Sequence, residues 1–232
     1  MTTIGILETG VPPPDLVARY GRYDAMMRRM LGDGFGYRSY VVQAGELPAA
    51  PEDNAAYVIT GSSAGVYDPL PWIAPLKGFI RSAQGRAKLV GLCFGHQVMA
   101  EALGGRVEKS GKGWGLGLHT YEVAQAAPWM DRNTRRISVA ASHQDQVVAV
   151  PEGVRVLGHS AFARYAMLAY PGGDAISVQF HPEFERGFAE ALVDLRGPRI
   201  GPDAAERAMA SLGEPSDASR VAGWLRRFIM GA

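Results

Sequence analysis

The chain has 232 residues, 47% of them hydrophobic, enough for one α/β domain with a substantial buried core. Its 24 Lys and Arg nearly balance 23 Asp and Glu, so no overall field favours nucleic acid or an anionic membrane surface, and a small molecule or another protein is the expected partner. A single cysteine excludes an internal disulfide and fits a reducing cytoplasm, while the lack of a basic-then-apolar leader and of a long apolar run argues against export or membrane insertion.

In chain order, β-branched runs at Thr3 to Leu7, Tyr37 to Val42, Ala56 to Thr60 and Lys88 to Leu92 predict strands. Helical patterns fall between and after them. Asp15 to Leu31 carries Leu16, Val17, Tyr20, Tyr23, Met26, Met27 and Met30 near an amphipathic period, and Trp72 to Ala83 and Phe94 to Leu103 form the next two helices. This alternation predicts an α/β fold with a parallel sheet of βα units. From Leu116 the texture turns β-rich, with strands near Leu118 to Val123, Arg136 to Ala140, Val154 to Gly158, Tyr165 to Tyr170 and Ala175 to Phe180, read as an antiparallel extension or a second sheet. The tail is helical, with a break expected at Gly197 to Pro202 and a last helix near Asp217 to Met230.

The segment Lys88-Leu89-Val90-Gly91-Leu92-Cys93-Phe94-Gly95-His96-Gln97 runs an apolar strand through a Gly-x-Cys-x-Gly turn into a helix. That is the layout of a nucleophile elbow: the glycines let strand and helix approach, and the central side chain is pushed out over the sheet edge. A lone cysteine is usually a small buried hydrophobe, but between Gly91 and Gly95, at a helix N-terminus, Cys93 reads as a nucleophile. A thiol nucleophile needs a base, and the base an orienting group. Val178-Gln179-Phe180-His181-Pro182-Glu183 supplies both, since residues two apart in extended chain share a side and Glu183 can reach the His181 imidazole.

Taken together, Gly91 to Gln97 and Gln179 to Glu183 resemble the class I, triad-type glutamine amidotransferases. Ile59-Thr60-Gly61-Ser62-Ser63, Lys112-Gly113-Trp114-Gly115-Leu116 and Ser142-His143-Gln144-Asp145-Gln146-Val147 extend the likeness in order, over roughly residues 3 to 190, with a helical extension over roughly 191 to 232. The resemblance implies a flavodoxin-like core: a mostly parallel central sheet flanked by helices, plus a small antiparallel β extension. It also implies that Cys93 attacks the side-chain amide of glutamine, releases ammonia and forms a γ-glutamyl thioester that water resolves. Gly61, placed where backbone must approach a ligand closely, would form the oxyanion hole with the amide of Phe94. In the family the position of Gln97 and the backbone around His143, Gln144 and Asp145 contact the glutamine, and Ser62 is placed with them.

Alternatives stand beside these assignments. Gln97 could be a solvated helix residue, Asp145 could close its own Asx turn, and Trp114 could wall the pocket or simply pack. Val11-Pro12-Pro13-Pro14-Asp15 reads as a rigid lead-in to the first helix in preference to a pocket rim. Tyr20-Gly21-Arg22-Tyr23-Asp24 is polar and aromatic enough to cap a site. No Cys-x-x-Cys, His-Glu-x-x-His or phosphate-loop spacing occurs, so neither a metal nor any other cofactor is expected, and Arg135 and Arg136 are too short a basic run for nucleic acid. The first functional expectation is a glutaminase that hands ammonia to a separate synthetase subunit. The second is a stand-alone γ-glutamyl hydrolase or peptidase, and the third a non-catalytic binding protein, against which the intact triad argues.

Overall fold

A computed structural model describes residues 1–231. Strands β1 (Thr3–Glu8), β3 (Ala56–Ile59), β4 (Lys88–Leu92) and β11 (Ala175–Val178) are almost wholly buried, as continuous apolar strands covered on both faces must be. With β2 (Gly36–Val41) at the edge they form five parallel strands in the order β2-β1-β3-β4-β11. The same sheet continues through four antiparallel strands, β10 (Met167–Ala169), β9 (Arg155–His159), β6 (Gly115–Val123) and β7 (Arg136–His143). The antiparallel part is therefore an extension of one sheet. A separate two-stranded sheet pairs β5 (Arg106–Lys109) with β8 (Asp145–Ala149); neither strand is evident in the sequence, because both are short and half polar.

Alternate side chains divide the core into two layers. Ile4, Ile6, Val58, Val90 and Leu92 pack with Met27 of α2 (Tyr23–Leu31) and with Trp224 and Phe228 of α7 (Ala218–Met230). Tyr57, Ile59 and Leu89 pack instead with Leu76 and Ile80 of α3 (Ile73–Ala83) and Val98 and Met99 of α4 (Phe94–Ala102). A third cluster joins α1 (Pro14–Tyr20), α5 (Arg186–Ile200) and α6 (Pro202–Ser211) to Leu116 and Ala140 of the antiparallel strands.

One helical boundary differs from the expectation. The helix read as Asp15 to Leu31 is two helices, because Gly21 turns to φ 84° and ends α1. The buried Glu8 carboxylate then fixes the new start, accepting from Arg22 Nη2 at 2.5 Å and from the Asp24 backbone N–H at 3.3 Å. In the tail the break falls within the expected Gly197 to Pro202: α5 continues through Gly197 and Pro198 and gives way to α6 at Gly201, where φ is 85°. Pro14 occupies the first turn of α1, so the proline tract does lead into a helix.

Candidate active site

The parallel strands end side by side, and in an open α/β sheet the crevice beyond their carboxyl ends is where ligands bind. Register brings Ile59 level with Gly91 and Leu92 level with Val178, so Gly61, Cys93 and His181 emerge from neighbouring strands. The Cys93 N–H donates to Val178 O at 2.9 Å, and the His181 N–H to Ala140 O at 2.8 Å.

Cys93 has φ 52° and ψ −101°, the one positive φ at a non-glycine among the described residues. Its neighbours explain how that strain is held. A Cβ on Gly91 would lie 2.5 Å from Gly95 O and 2.6 Å from Met99 Sδ, and one on Gly95 would collide with the backbone of Ile59. Only glycine at both places lets β4 turn into α4 at this spacing.

His181 Nδ1 and Glu183 Oε1 are 2.7 Å apart, with both side chains buried. The ring stacks on Phe184 with centroids 3.9 Å apart, which fixes its plane. Burial works against the imidazolium, but the Glu183 carboxylate and the charge and hydrogen bond of Cys93 outweigh it and push His181 up to about 10. With Nδ1 committed to Glu183, Nε2 is left for the thiol. A Cβ on Gly61 would sit 3.1 Å from His181 Cε1 and 3.9 Å from Cys93 Cβ, so this backbone closes on the pair. Thr9 holds the Gly61 loop, its hydroxyl donating to Thr60 O at 2.9 Å and reaching Gly61 O at 3.2 Å. Among the described residues neither the Gly61 nor the Phe94 N–H donates within the fold, and Phe94 stands at the first helical position, where an N–H has no intrahelical acceptor.

Two cavities meet at Cys93. One, of about 180 Å³, is lined by Ser62, Gln97, His143, Gln144 and Asp145, so the structure brings all five expected contact residues together beside the thiol. Gln97 is buried, its Nε2 donating to Asp145 O at 2.8 Å and to Gln179 Oε1 at 3.2 Å, and is not a solvated helix residue. The Asp145 carboxylate accepts from Tyr67 at 2.8 Å instead of closing an Asx turn. Burial pushes His143 down to about 3, so its ring is neutral, and Nδ1 donates to Asp145 O at 3.1 Å. The other cavity, of about 420 Å³, holds Cys93, Gly61 and His181 on one side and the proline tract with Tyr23 on another. Thus Pro12 to Pro14 form a pocket rim as well as a lead-in, and Tyr23 of the Tyr20 to Asp24 segment is part of the wall.

Arg196, Tyr67 and Lys109 also line these cavities, and no sequence motif announces them. Arg196 bonds Ser142 and lies over the Trp114 ring, 4.5 Å from its centroid, so Trp114 both walls the site and packs. Among the described residues no cluster of three or more His, Cys, Asp or Glu could hold a metal ion, and no helix is long and apolar enough to cross a membrane.

The profile of the family "Glutamine amidotransferase class-I" matches residues 49–192. This chain belongs to that family. Relatives of the class-I amidotransferase include γ-glutamyl peptidase 4 of Arabidopsis thaliana, 30% identical over 87% of this chain and 84% of that one. GMP synthase (glutamine-hydrolysing) of Thermus thermophilus is 36% identical over 55% of this chain but only 24% of its own length. A glutamine amidotransferase from Thermotoga maritima shares the fold, with a TM-score of 0.74 at 19% identity over 98% of both chains. The family match ends at residue 192 and begins at residue 49. Val11 to Pro14, Tyr23, Leu195, Arg196 and Arg199, which line the larger cavity, all lie outside the amidotransferase segment.

Proposed function

We propose that this class-I amidotransferase hydrolyses γ-glutamyl amide bonds through a thioester on Cys93. The observation that carries this reading is the strained Cys93 at φ 52°, sharing a cavity with an imidazole that Glu183 holds at 2.7 Å. His181, raised to about 10, already holds the proton of the Cys93–His181 pair as Sγ bonds to the γ-carbonyl carbon, and the oxyanion falls to the Gly61 and Phe94 amides. His181 then protonates the departing nitrogen as the C–N bond breaks, and activates a water that releases glutamate and restores the thiol. Glu183 orients the base, and the cavity of Ser62, Gln97, His143, Gln144 and Asp145 receives the glutamyl group.

Of the two leaving groups, the amine of a γ-glutamyl peptide is favoured, because likeness to the Arabidopsis peptidase runs through most of both chains. Ammonia handed to a separate synthetase is the second reading, supported by the match to GMP synthase, which spans a quarter of that protein. Glutamate release from glutamine and from γ-glutamyl dipeptides, assayed in parallel on the isolated chain, tests both. Dipeptide turnover that disappears in Cys93→Ala and His181→Ala is expected, with Glu183→Ala less damaging because an orienting group matters less than the base it orients. Equal turnover by Cys93→Ala would sink the mechanism, and turnover of glutamine alone would favour the second reading.

A further inference from the structure

The cavities flanking Cys93 are chemically unlike, and the scissile bond must straddle them: the acyl part goes to one, the departing nitrogen to the other. His181 lines the larger cavity and not the smaller. A group that protonates the departing nitrogen must face it, so the larger cavity lies on the leaving-group side. Ammonia needs no chamber of about 420 Å³.

Its lining describes what would fill it. Tyr23, Phe184 and Leu192 give an apolar wall, and Val11 and Leu195, 41% and 54% exposed, leave large apolar side chains open at the rim. Arg196 and Arg199 supply two guanidinium groups, and among the described residues no acidic side chain lines the cavity. Arg196 is partly buried, bonded to Ser142 and stacked on Trp114, and among the described residues no carboxylate pairs with it. A mostly desolvated guanidinium without an acidic partner beside a reactive centre is a receptor for a planar anion.

We propose that this cavity is a leaving-group subsite for an α-amino acid with an apolar side chain, its carboxylate held by Arg196 and its side chain against Tyr23, Phe184 and Leu192. The inference rests on the proposed γ-glutamyl hydrolysis. In the acylation step Sγ bonds to the γ-carbon, the C–N bond breaks, His181 gives its proton to the nitrogen, and the free amino acid leaves through this cavity.

Arg196 also borders the smaller cavity, so the test must separate a grip on the leaving group from a grip on the glutamyl end. Values of kcat/KM are measured for γ-glutamyl-leucine, for γ-glutamyl-isoamylamide, which lacks only the carboxylate, and for γ-glutamyl-aspartate. Wild type is expected to favour γ-glutamyl-leucine over the amide by about tenfold or more, the usual worth of a hydrogen bond to a charged group. Arg196→Gln should collapse that ratio, and Leu195→Lys, at an exposed position, should lower γ-glutamyl-leucine relative to γ-glutamyl-aspartate. Should Arg196→Gln fail to fold, the wild-type ratios and Leu195→Lys still decide. Equal losses on all substrates in Arg196→Gln, or wild-type indifference to the carboxylate, would overturn the subsite while leaving the hydrolase reading intact. No turnover of any substrate would overturn both.

Discussion

At Cys93 the backbone sits at φ 52°, ψ −101°, a conformation that costs a side-chain-bearing residue on the order of 1–3 kcal/mol. Cys93→Gly should therefore resist urea better than Cys93→Ala by about 1 kcal/mol, although both lack the thiol; equal midpoints would mean that the elbow stores no strain. His181 carries the second residue-scale prediction. Its pKa is raised from 6.5 to about 10 by Glu183 and Cys93 against burial. A raised histidine contributes stability that is complete below pH 6.5 and is lost as pH climbs to about 10. Unfolding free energy should thus fall between those pH values in wild type and flatten in Glu183→Gln; parallel profiles would contradict the coupling. These residues were legible in sequence because each lies in a local motif: glycines two residues to either side of Cys93, and an acid two residues after His181.

At the scale of elements, the strand β4, the elbow and α4 act as one unit. Gly91→Ala would press a methyl against Gly95 O and Met99 Sδ, and should cost about 1–3 kcal/mol in denaturant unfolding with loss of activity. Unchanged stability would show that the turn can open. Apolar strands buried on both faces were readable, Lys88–Leu92 to the residue. Less readable were β5 and β8, whose pairing is set by tertiary approach and not by pattern. The break at Gly21 was hidden by an apolar period that continues across it; the buried Glu8, fourteen residues upstream of Arg22, fixes the second helix start.

At the scale of the molecule, α7 belongs to the same core layer as β1, β3 and β4. Trp224 is 0% exposed among Ile4, Val58 and Val90, and Lys88 Nζ donates to Phe228 O at 2.7 Å. Trp224→Ala should cost about 3–5 kcal/mol; a loss under 1 kcal/mol would show that the last helix is dispensable. The larger cavity at Cys93 is likewise a product of topology. Arg196 reads in sequence as an ordinary helical cation, and only the packing of α5 beside the carboxyl ends of the strands brings it to Trp114 and Ser142. What the chain acts on is thus least visible where the fold assembles distant segments.

The central claim is the thioester, and acid-quenched mass spectrometry of the peptide containing Cys93, after mixing with γ-glutamyl-leucine, tests it most directly. A γ-glutamyl adduct on Cys93, formed and lost at rates consistent with steady-state glutamate release and missing in Cys93→Ala, is the predicted result. Glutamate release that persists in Cys93→Ala, with no adduct at this position in wild type, would contradict it.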